Sequence, residues 1–165
     1  MLKVVLVALG LCLLEISVIV VASPLAKPAL VLRFLPEDVR LAAQGHPEPP
    51  LWKQLIAHAL LAGFLVAMLA GMLYVGREGL RDGCGFWGLT LRFIVLLYVM
   101  KAFDIIVQDQ WLVMTVGYFK RLYPETAECA GWLDRGVTPR QERVRIVVSP
   151  FLCMLTAGLF VLFGM

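Results

Sequence analysis

Four apolar runs, at 4–22, 55–75, 89–119 and 146–163, limit what this 165-residue chain can fold into. A helix rises about 1.5 Å per residue, so roughly 20 apolar residues cross a hydrocarbon core about 30 Å thick. Hydrophobic residues make up 61% of the chain, above the ~45–50% usual for soluble domains. The pattern predicts an all-α integral membrane protein, a four-transmembrane-helix bundle. No low-complexity tract or linker interrupts it, so residues 1–165 read as a single membrane domain.

The first run carries one charge, Glu15. Ala22 resembles the small residue of a signal-peptidase site, but the run exceeds the about 7–15 residues of a secretory core and reads as a membrane helix. The second run holds His58 and no formal charge, with Gly63, Ala67 and Gly71 spaced by four. Small residues on one stripe let a neighbouring helix come close. Before the last run, Thr138, Pro139 and Gln141 have the spacing of an N-terminal capping box, and Pro150 predicts a kink. In the first connection, Pro36, Glu37 and Asp38 start a short surface helix that Gly45 stops, and Trp52 suits a headgroup anchor. His46 and Glu48 read as solvated loop residues rather than metal ligands. The cysteines Cys12, Cys84, Cys129 and Cys153 lack C-x-x-C spacing, which removes the motif basis for a zinc or redox centre. Cys84 and Cys129 fall in connections on opposite sides of a four-span chain and are not expected to pair.

The stretch "KAFDIIVQDQWL" sets Lys101, Asp104, Gln108, Asp109 and Gln110 inside the third run. At about 100° per residue, Gln108, Asp104, Tyr98 and Asp109 fall near −20°, −60°, +60° and +80° from Lys101. They span about 140° of one face, and Gln110 points elsewhere. Each ionisable group in a span costs at least ~2.5 kcal/mol on insertion scales, so such a stripe marks a cavity or a partner rather than lipid. Counting depth along four spans puts Glu15 between the levels of Asp104 and Gln108, and His58 near that of Asp109. The candidate site is therefore Glu15, His58, Lys101, Asp104, Gln108 and Asp109.

Four readings of that set compete. Lys101 can pair Asp104 along one helix, with Asp109 reaching an amide or the interface. The acids can instead bind cations or relay protons in a wet cavity, which is cation- or proton-linked transport or conduction. A membrane-embedded enzyme would use a carboxylate and His58 as acid and base, or as ligands of a divalent metal. An accessory or assembly subunit would need no activity of its own.

"FDIIVQD", followed by "YPETAE" and a final apolar helix, resembles a group of small bacterial multipass membrane proteins with an FD-x4-D-W core. Here the tryptophan comes one residue later, at Trp111, and the likeness covers the C-terminal half. The resemblance implies a bacterial membrane protein and gives Asp104 and Asp109 more weight than chance charges; it implies no activity.

Basic residues in the first and third connections outnumber Lys3, Arg77, Arg81 and Arg92, which places those two connections in the cytoplasm of a plasma membrane. The net charge of +3 suits anionic headgroups, and no pattern points to nucleic acid. The expected partners are membrane lipids, a second copy or larger membrane complex, and a small ion or small molecule. No cofactor and no resident metal is expected.

Overall fold

The computed structural model describes residues 1–133 and 139–164. Among these the secondary structure is entirely helical, with no strand. In chain order come α1 (Leu2–Ala22), α2 (Pro28–Val31), α3 (Glu37–Ala42), α4 (Leu51–Arg81) and α5 (Phe86–Phe103). A π-helix (Asp104–Thr115), α6 (Tyr118–Leu122) and α7 (Pro139–Phe163) follow, with short 3₁₀ turns in the connections. Thr138 and the Gln141 side chain, the expected capping box of α7, lie outside the described residues. α7 continues through Pro150.

Helix ends follow local chemistry. α4 starts after the prolines at 47, 49 and 50, where Gln54 Nε2 donates to the Pro49 carbonyl at 2.7 Å. It stops at Gly83, whose φ of +71° suits a residue without Cβ. The Cys84 amide reaches back to the Gly79 carbonyl at 2.9 Å and the Gly83 amide to Leu80 at 3.0 Å. Those paired bonds form a Schellman cap, satisfying carbonyls that the helix end leaves open. α4 therefore runs past the expected limit at 75, because nothing in "GREGLR" breaks a helix before that glycine.

The chain divides into two compact units. One comprises Met1–Leu14, Leu65–Phe103 and Pro139–Met165. Its core takes Val4, Ala8 and Leu11 from α1, Leu89, Phe93 and Leu96 from α5, and Cys153, Ala157 and Phe160 from α7, with Val75 from α4. Each of those three helices buries positions i, i+4 and i+7, a single stripe of a helix with 3.6 residues per turn. The opposite faces stay apolar and exposed, among them Leu6 and Leu13, Leu65 and Leu69, and Leu155 and Leu162.

At one end of this unit Lys3 pairs with Glu78 at 2.9 Å and Arg92 with Asp82 at 2.6 Å. The bond from Arg92 holds the Asp82 carboxyl below its ordinary value of 3.8. A carboxyl depressed on folding adds stability that is complete above its unfolded pKa and is lost as pH falls through the lowered folded value. The thermal midpoint should therefore drop on acidification below about pH 4, and Asp82→Asn should flatten that part of the profile. Parallel curves for parent and variant would show that the pair adds nothing.

The other unit comprises Glu15–Phe64 and Asp104–Thr138. Val18, Ala22, Ala26 and Ala57 form one apolar cluster. Leu32, Val39, Ala43, Phe119, Tyr123 and Trp132 form a second. The expected surface helix is present as α3, followed by a 3₁₀ turn Ala43–Gly45. Its Asp38 carboxylate accepts the Gly131 amide at 2.7 Å, and Trp132 Nε1 donates to the Thr126 carbonyl at 2.6 Å. Tyr118 donates its hydroxyl to the Val20 carbonyl at 2.7 Å. These bonds join the first connection and the end of α1 to the segment that follows the π-helix.

Among the described residues two helices, α1 and α4, are long and apolar enough to cross a membrane. In α4 only 6% of the most apolar window is buried, against 28% in α1. A helix hidden in a soluble core would show the reverse. In α7, Val147–Phe163 is a shorter apolar stretch. None of the four cysteines is in a disulfide.

Candidate functional site

Within the third apolar run the helical winding changes at Asp104, the first acid of the polar stretch. From there to Thr115 the backbone is a π-helix of 12 residues. Such helices are rare and mostly single-turn bulges, with hydrogen bonds from residue i+5 to residue i. At its end the Val116 amide bonds the Trp111 carbonyl at 2.8 Å, and the Thr115 hydroxyl donates to the Gln110 carbonyl at 2.9 Å. Both reach five residues back. Gly117, with a φ of +62°, then terminates the π-helix and admits α6.

The wider winding changes which residues share a face. An α-helix sets Asp104 and Asp109 about 140° apart. With i+5 bonding they stand one hydrogen-bonded step apart on the same side. Gln108 Nε2 donates to Asp104 Oδ1 at 3.1 Å, fixing one carboxylate oxygen. Asp104, Gln108 and Asp109 are all half-buried, and Gln110 is exposed. Lys101 sits in the last turn of α5, also half-buried.

Glu15, in α1, is half-buried, and its Oε2 is closed off from solvent. His58 behaves differently. Its side chain is exposed, and Nδ1 donates to the Gln54 carbonyl one turn back at 2.6 Å. Its Nδ1 bond stays within its own helix.

The stripe of small residues divides in a similar way. A Cβ on Gly71 would stand 3.0 Å from Leu11 Cδ1, and Ala67 packs on the core of the first unit. Gly63 meets open space. Within α4 the tightest approaches occur elsewhere: a Cβ on Gly76 would overlap the Phe160 ring, and one on Gly79 would overlap Leu89.

A second polar group was not apparent from sequence. His46 Nδ1 bonds Glu125 Oε1 at 2.8 Å, and the Tyr123 ring packs edge-on against the imidazole at 4.8 Å between centroids. Glu48 pairs with Lys27 at 3.0 Å. The only signal that could have joined His46 to Glu125 is the span count, which puts the first and third connections on one side. No group of three or more His, Cys, Asp or Glu residues with metal-binding geometry occurs among the described residues.

Comparison of the chain with protein-family models, with curated proteins and with solved structures found no match.

Proposed function

We propose that this chain is a four-span protein of a bacterial plasma membrane, and that it moves a cation or proton past Asp104, Gln108 and Asp109. The observation that carries the reading is the π-helix, which puts both acids on one face of a segment otherwise rich in Ile, Val, Leu and Trp. Acids inside a span are costly and persist where they face a wet cavity or a pathway. Two carboxylates on one face offer oxygens that replace part of a cation's hydration shell, or successive acceptors for a proton. Gln108 restrains one of them without neutralising it.

In this reading the rod Phe86–Phe103 with Asp104–Thr115 and the helix Pro139–Phe163 complete the four spans that α1 and α4 begin. Basic residues place the first and third connections in the cytoplasm. The outward His58 weakens the enzyme alternative at these acids, since its ring nitrogen is committed to its own helix. The test is ion or proton flux into proteoliposomes containing the purified chain, compared with empty vesicles. Flux no greater than that of empty vesicles, under every cation gradient and a pH gradient, would remove the transport reading.

A further inference from the structure

Away from the acidic face, the second unit contains a cavity of about 70 Å³ whose wall includes Ser23, His46 and Tyr123, with Pro24, Pro28, Pro47 and Pro49. We infer that this cavity is a binding site for a small aliphatic hydroxyl compound, held between the His46 imidazole and the Tyr123 hydroxyl. The inference does not depend on the transport reading.

Three observations converge on it. First, Tyr123 is only 2% exposed, yet its hydroxyl bonds no other described residue. The hydroxyl is not among the fully buried, unbonded side-chain atoms, so it keeps some access, and a phenol in so buried a residue ordinarily uses it for a hydrogen bond. Burial pushes Tyr123 up to about 12. It therefore remains an O–H donor at neutral pH.

Second, Glu125 is acceptor-only as a carboxylate, so the bond at 2.8 Å requires His46 Nδ1 to carry the hydrogen. In the neutral ring that leaves Nε2 with a lone pair as an acceptor. The edge-on contact with Tyr123 holds the ring in place. The site thus presents one donor and one acceptor. An alcohol hydroxyl answers both, donating to Nε2 while accepting from the phenol.

Third, the prolines give a wall of mixed polar and apolar surface, with little freedom to collapse, since each fixes its own φ. Water occupies about 30 Å³ of liquid volume, so the cavity suits about two waters or one molecule of about four non-hydrogen atoms. A two-carbon diol has that size. The hydroxyl can come from a free polyol or from the glycerol headgroup of a lipid.

The chain contains two histidines, which makes a direct measurement practical. The full chain, labelled with ¹⁵N-histidine in detergent micelles, would be titrated with ethylene glycol while both imidazoles are followed by NMR. The expected result is a saturable shift at His46 Nε2, with His58 unchanged. Tyr123→Phe keeps the ring and removes the donor, and should weaken binding about fivefold or more. Glu125→Gln supplies a second variant: its amide can donate to Nδ1, moving the hydrogen to Nε2 and removing the acceptor. In nanodiscs without glycol, a His46 shift in phosphatidylglycerol but not phosphatidylcholine would assign the hydroxyl to a lipid headgroup. A glycol response without that lipid response would assign it to a free polyol. Linear, parallel shifts at both histidines, an unchanged affinity in Tyr123→Phe, or no shift with either source would overturn the site and leave the cavity to water.

Discussion

Asp109→Asn and Asp104→Asn should each lower cation or proton flux by about tenfold or more while leaving the fold largely intact. Asparagine nearly preserves the shape of aspartate, so packing in the π-helix changes little and the negative charge is what disappears. For Asp104 the Gln108 amide still finds a carbonyl oxygen to donate to, which protects local structure. Gln108→Leu removes that donor and should affect flux less than either charge loss, because both carboxylates remain. Proteoliposome flux and thermal unfolding, measured on the same preparations, separate charge from scaffold. Flux equal to the parent in both asparagine variants would end the transport reading, whatever the melting curves show.

Gly76→Leu should be the most damaging single packing change in the first unit. Even a Cβ at position 76 overlaps the Phe160 ring, which is itself buried and tilted against Phe93 at 5.5 Å between centroids. The ring cannot move aside without disturbing the α5–α7 core. Overpacking of this kind costs about 1–3 kcal/mol, and the branched leucine side chain should reach or pass the upper figure. Gly63→Leu should cost nothing and can gain up to about 0.8 kcal/mol, because its Cβ meets open space and leucine is the better helix former. Thermal unfolding of the pair is a sharp comparison, since both replace a glycine of the same helix by the same residue. Equal changes in both would mean that contact with Phe160 does not set the cost at position 76.

The residue types of the acidic face were legible in the sequence, and its geometry was not. Asp104, Gln108 and Asp109 stand out because charges and amides inside an apolar run are costly. Their mutual placement depends on whether the backbone bonds four or five residues back, and hydrophobic periodicity does not encode that choice. His58 shows a related failure. Its depth along the helix could be counted from the sequence, but its direction around the helix depends on which face packs. Gly63, Ala67 and Gly71 were singled out by regular spacing, whereas the closest contacts of α4 glycines form at Gly76 and Gly79, where neighbouring side chains project. The surface helix at Glu37 was readable because proline, two acids and a later glycine are local signals. The His46–Glu125 bond joins residues 79 apart, so only the folded chain reveals it.

The outward face of α4 has a further consequence, in thickness. Its 31 residues make a rod about 46 Å long at ~1.5 Å per residue. With its apolar window nearly all exposed, whatever amphiphile covers it becomes a ligand of the folded state and stabilises the fold by mass action. The match between that window and the hydrocarbon around it then enters the free energy, at a fraction of a kcal/mol for each ångström of mismatch. Bilayers of longer-chain lipids should raise the thermal midpoint until their thickness meets the window, and lower it beyond. In a bilayer, stability would therefore be set jointly by the polypeptide and by the length of the surrounding hydrocarbon.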